Sequence, residues 1–188
     1  MLQLISLLVE NKPGALMRVT GVLSARGYNI ESLTVARTLD PTLSSMTIVA
    51  NVDTPMRELL IKQIKRLINV VQAVDLTEGP SVARELALIK VIVQPDMRHA
   101  LLKEAEIFRA RVVDASPVSY TLEVTGATEK LDAFIALLHN YGEVEMIRTG
   151  AMAMARSRQQ KLPNGFSGSA SREVEPEPAA EPELAKRD

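Results

Sequence analysis

Two short stretches carry the residue types best suited to holding a small polar ligand. The first is Asn11-Lys12-Pro13-Gly14-Ala15-Leu16, a turn between an apolar run and a helical pattern. Its glycine lets a ligand approach the backbone closely. The first N–H groups of the helix, from about Gly14 to Leu16, have no acceptor within that helix and sit at the positive end of its dipole. That arrangement suits a carboxylate. Asn11 offers both a donor and an acceptor, which suits the two charged ends of an amino acid. The same residues also fit a plain strand-to-helix turn with an Asx cap, and residue types alone leave both readings open. The second stretch is Gly27-Tyr28-Asn29-Ile30. Asn29 either marks a helix exit, since Asn tolerates left-handed backbone, or supplies a second amide to a pocket. Leu16 and Ile30 are the apolar residues nearest these groups, fit to wall a small pocket.

Other chemistries find little support. The chain has no Cys, which removes disulfides, thiolate nucleophiles and Cys-type metal sites. It has two His, His99 and His139, too few for a His-rich metal site. Glu10 and Glu31 have no spacing that makes them an acid–base pair. Ser6 and Ser44-Ser45 have no His partner to activate a hydroxyl. No phosphate-cradling glycine loop is present. Charge is balanced, with 22 Lys and Arg against 23 Asp and Glu, and aromatics are 3% of the chain. A general nucleic-acid binder needs a basic excess and stacking platforms, so that class is excluded. Met1–Glu10 has no basic leader and is too short to span a bilayer, which takes roughly 20 residues. The expected location is the cytoplasm.

The elements that must position these groups follow from apolar spacing. Leu2–Glu10 reads as a buried strand. Ala15–Arg26 reads as a helix with Leu16, Val19, Thr20 and Leu23 inward, stopped by Gly27. Ile30–Arg37 and Ser45–Val52 form a hairpin about Asp40-Pro41-Thr42. Asp53-Thr54-Pro55 starts a second helix with Leu60, Ile64, Leu67 and Ile68 as its apolar stripe, capped by Asp or Thr. Asn69–Leu76 closes the unit. After Glu78-Gly79-Pro80 the order repeats, with strand Glu85–Val93, a helix through Phe108, strands Ala110–Ala115 and Ser119–Thr125, helix Thr128–Tyr141 and strand Glu143–Thr149. Met152 and Met154 read as packing residues. The expected fold class is α+β, two tandem ferredoxin-like βαββαβ modules over 1–78 and 82–157. Helices cover one face of each sheet, so the other face needs a partner or an oligomer. Residues 158–188 hold five Lys and Arg against six Asp and Glu, with repeated Pro, Ser and Gly. That composition predicts a disordered tail.

The stretch Leu7–Leu16 resembles the opening of an ACT domain, a βαββαβ module that binds amino acids. Arg26-Gly27-Tyr28-Asn29-Ile30-Glu31-Ser32-Leu33-Thr34-Val35-Ala36 is narrower and resembles the small regulatory subunits of acetolactate synthase. So do Asp40–Ile48, Arg84–Lys90 and Ile107-Phe108-Arg109-Ala110. The resemblance covers about residues 1–157. It implies a chain with no active site of its own and no cofactor of its own. It further implies binding to a catalytic large subunit that carries thiamine diphosphate, Mg²⁺ and FAD, activation of that subunit, and feedback inhibition by valine in branched-chain amino acid biosynthesis. Two ACT domains are expected to pair as a homodimer. Valine is expected between them, held by Asn11, Gly14, Ala15 and Leu16 of one chain with Asn29 and Ile30 of the other. Gly14, Asn29 and Ala36 fall at positions whose change relieves valine inhibition. Lys12-Pro13 lies at positions that vary, so valine is not ranked there against leucine and isoleucine. No membrane and no nucleic-acid partner are expected. The rival readings are an amino-acid sensor with another client, and a small ferredoxin-like enzyme. The first lacks a DNA-reading helix-turn-helix; the second lacks placed catalytic groups.

Overall fold

The computed structural model describes residues 1–156. The tail expectation over 158–188 lies outside the described residues. The chain runs as β1 (Leu2–Glu10), α1 (Ala15–Ser24), β2 (Asn29–Arg37), β3 (Leu43–Asn51), a single 3-10 turn at Thr54–Met56, α2 (Arg57–Ile64) and β4 (Val70–Asp75). It continues as β5 (Ser81–Val93), α3 (Arg98–Ile107), β6 (Arg111–Ala115), β7 (Ser119–Gly126), α4 (Thr128–Leu138), β8 (Gly142–Arg148) and β9 (Met152–Ala155). Strands β2-β3-β1-β4 form one antiparallel sheet and β6-β7-β5-β8 a second. This is the α+β, tandem βαββαβ architecture expected from the sequence.

Alternation along the strands decides which face is buried. Ile5, Leu7 and Val9 of β1 meet Met46, Ile48 and Ala50 of β3, and the helices close over them with Val19, Leu23, Leu60 and Ile64. In the second sheet Ala87, Ile89 and Val91 meet Leu122 and Val124 under Leu101, Leu131, Phe134 and Leu138. Phe108 stacks on Phe134 with centroids 4.7 Å apart. Gly142 opens β8 because a Cβ there would lie 1.8 Å from the Ile92 carbonyl oxygen.

Several local expectations change. In α1 the inward residues are Ala15, Val19 and Leu23, a four-residue spacing, while Leu16 is 43% exposed. Ile68 lies beyond α2 and is exposed, so it is not part of the stripe. Neither Asp53 nor any other side chain caps the Thr54 turn. Met152 and Met154 belong to an additional strand, β9, which pairs with the first four residues of β5, and both are more than half exposed rather than packed. The second module also covers part of the first sheet. Along one cross-strand row of the helix-free face, Ser6 pairs with Thr47 and Thr47 with Thr34, and Thr47 is buried. Thr34 from that row meets the segment leading into β9. On the second sheet the matching face leaves Leu88 and Ile92 exposed.

Candidate effector site

The loop after β1 is tied to the β2–β3 hairpin. The Asn11 backbone N–H donates to the Thr42 carbonyl at 2.7 Å, and its side-chain Nδ2 donates to the Pro41 carbonyl at 2.9 Å. Asn11 is therefore not an Asx cap on α1. The cap is Gly14, which takes left-handed backbone at φ +83° and makes no side-chain cap bond. Among the described residues no acceptor is found for the N–H groups of Gly14, Leu16 and Met17, while Ala15 N–H bonds Lys12 O at 3.2 Å. Three donors thus point out at the positive end of α1, beside the exposed Leu16 side chain. Ala15 is buried and contributes backbone only.

Below the loop runs a polar network that local sequence did not announce. Glu10 accepts from Asn69 Nδ2 at 2.6 Å and from Lys12 Nζ at 3.1 Å. Arg18 of α1 donates to Asn69 Oδ1 at 2.5 Å. Glu10 N–H bonds the Asn69 carbonyl at 2.8 Å. The Asn69 hydrogen bond, then that from Lys12, holds the Glu10 carboxyl below its ordinary value. The network joins β1, α1 and the approach to β4 across more than 50 residues of chain. That is why pattern reading along the sequence missed it.

The second stretch behaves differently from the helix-exit reading. Left-handed backbone falls on Gly27, φ +71°, and not on Asn29. Asn29 is the first residue of β2, exposed, with Nδ2 donating to Glu31 Oε1 at 2.7 Å. Ile30 packs partly into the core. The β2–β3 register slips between Ile30 and Ser32, so Glu31 is a bulge residue. Ala36 is exposed opposite Ser45.

The two stretches do not meet within one chain. Asn29 pairs with Asn51, which pairs with Leu2, at one end of the sheet. Glu10 pairs with Leu43 at the other end. The eight residue steps between Leu2 and Glu10 span roughly 25 Å at the usual strand rise. Asn29 and Ile30 thus stand far from Asn11–Leu16. Glu10 and Glu31 are likewise at opposite ends, so no acid–base pair forms. His99 and His139 are exposed. Among the described residues no group of three His, Cys, Asp or Glu could hold a metal, and no helix is long and apolar enough to cross a membrane.

Known proteins share this arrangement. Residues 5–72 match the family described as the AHAS small subunit-like ACT domain, and residues 84–157 match the small subunit of acetolactate synthase. A probable acetolactate synthase small subunit of Archaeoglobus fulgidus is 47% identical over 156 residues, 83% of this chain and 98% of that one. The acetolactate synthase isozyme 3 small subunit of Escherichia coli is 42% identical over 157 residues, 83% of this chain and 96% of that one. The crystal structure of the acetolactate synthase small subunit from Thermotoga maritima superposes with a TM-score of 0.73 at 38% identity, covering 84% of this chain and 98% of that chain. With both βαββαβ modules matched in one chain at these identities, the protein belongs to the acetolactate synthase small-subunit family.

Proposed function

We propose that this chain is the non-catalytic regulatory subunit of an acetolactate synthase, that it activates a catalytic large subunit, and that it confers feedback inhibition by valine in the cytoplasm. Thiamine diphosphate, Mg²⁺ and FAD are assigned to that partner, and none to this chain. Valine lies between two copies, its carboxylate on the free N–H groups at the start of α1 and its side chain against Leu16 of one copy and Ile30 of the other. Asn11 Oδ1 and Asn29 supply the remaining polar contacts.

One observation carries this reading. Asn11–Leu16 and Asn29–Ile30 sit at opposite ends of the same sheet, and among the described residues β2 is an edge strand with β3 as its one strand partner. Antiparallel pairing of β2 with β2 of a second copy brings Asn29 of that copy beside Arg37 of the first. Arg37 adjoins the hairpin to which Asn11 is bonded. A twofold pair thereby completes two equal sites that a single chain leaves divided. The test is acetolactate formation by the large subunit, alone and with this chain, with and without valine. Activation by the chain and inhibition by valine support the proposal. No change in rate under either condition refutes it.

A further inference from the structure

Besides its covalent linker, the second module meets the first through β9 at β1 and, through the segment leading into β9, at β2, the strand that carries Asn29 and Ile30. Thr34 Oγ1 donates to the Thr149 carbonyl at 3.1 Å, and Ala151 N–H reaches Ser32 Oγ at 3.5 Å. Gly150 lies between them at φ +79°, and a Cβ there would stand 2.9 Å from Ser32 Cβ and 3.3 Å from Thr34 Oγ1. The backbone itself is seated on the strand. Ala151 is buried. The same segment is fastened to the second sheet. Thr149 N–H donates to Leu86 O at 3.1 Å, and Leu86 N–H donates to Thr149 Oγ1 at 3.2 Å. Its neighbour Arg148 is paired with Glu85 and Asp132. Beside the contact the modules part around a cleft of about 520 Å³ lined by Glu31, Glu85 and Arg148.

We propose that the Thr149–Gly150–Ala151 crossing, seated on β2, is the link that carries effector occupancy from the first module to the second. This rests on the regulatory reading above and adds the route. Ligand held on Asn29 and Ile30 biases the position of β2. Ser32 and Thr34, just beyond the Glu31 bulge, move with it, and the crossing passes that displacement to β8 and β5. The covalent linker at Glu78-Gly79-Pro80 follows β4, the opposite edge of the sheet from β2. It is therefore the less direct path. Coupling of this kind needs one element whose position both sites bias, and β2 is that element.

The test uses the full chain with the catalytic large subunit. Thr34→Val removes the donor to Thr149 while keeping strand preference, and Thr34→Ser keeps the hydroxyl. Gly150→Ala forces the crossing off the strand. Valine affinity of the chain alone is read by calorimetry, and valine inhibition and valine-free activation are read on the complex. We expect affinity and activation to stay within about twofold of the wild type. The valine concentration for half inhibition should rise by about tenfold or more in Gly150→Ala and by a smaller factor in Thr34→Val, inside the usual range for coupling between sites. Thr34→Ser should behave as wild type. If Gly150→Ala does not fold, the Thr34 pair decides alone. Unchanged inhibition in both disruptive variants overturns the route. So does a loss of inhibition that only tracks lost valine affinity in the chain alone. Failure of the wild-type chain to bind valine at all overturns the regulatory reading instead.

Discussion

At Gly14 the backbone is left-handed, and nothing lies within 4 Å of where a Cβ would be. Any side chain there is strained, by roughly 1–2 kcal/mol, but not blocked. Gly14→Asp also sets a carboxylate against the N–H groups proposed to hold valine's own. We expect the variant to fold and to activate the large subunit, with valine inhibition lost; a titration of the complex with valine checks this. Glu10 lies one layer below. Its depressed carboxyl stabilises the loop above its ordinary pKa of 4.5, and that contribution fades as pH falls through the lower folded value. Glu10→Gln should therefore lower Tm at pH 7, with the gap to the wild type narrowing as pH falls below 4.5, as thermal melts across the acid range will show. No dependence through Glu10 is expected between pH 6 and 8.

Among the elements, α4 sends Leu131, Phe134, Ile135 and Leu138 into the second core. Phe134 is fully buried and stacked on Phe108, so Phe134→Ala should cost about 3–5 kcal/mol. Denaturant unfolding followed by circular dichroism measures this, and Phe134→Leu should cost distinctly less. Helix α1 shows how periodicity succeeds and where it slips. Its spacing marked a helix over Ala15–Arg26, two residues longer than the observed Ala15–Ser24, and assigned Leu16 inward. The 3.6-residue period admits two adjacent stripes when Ala15, Leu16, Val19, Thr20 and Leu23 occur together. The angle at which α1 lies on the sheet selects Ala15, Val19 and Leu23, leaving Leu16 exposed beside the N–H groups that open the helix. β9 escaped for a different reason. Four residues of alternating Met and Ala carry little strand signal, and only the overhanging start of β5 gives them a ladder to join.

At the scale of the molecule, the proposed sharing of the site between two copies makes a sharp prediction about assembly. Asn11→Ala and Asn29→Ala should each abolish valine inhibition when present alone. Mixed and refolded together, the two variants form hybrid pairs in which one site has both residues intact and the other has neither. Inhibition should return in part in the mixture, read as valine-sensitive acetolactate formation. A site built within one chain gives no such recovery.

The sequence alone determined the modular order, the nine-residue span of β1, the αL glycine that follows α1 and the family. Those features depend on local backbone preference and on apolar spacing within a single element, and both are written in neighbouring residues. Tertiary structure decided that Asn11 bonds the hairpin rather than caps the helix, that Asn69 and Arg18 brace Glu10, and that the second module rests on β2. It also decided that the two candidate binding stretches stand at opposite ends of one sheet. Each of these depends on strand order and register, which set distances between residues far apart in the chain and leave no trace in local composition.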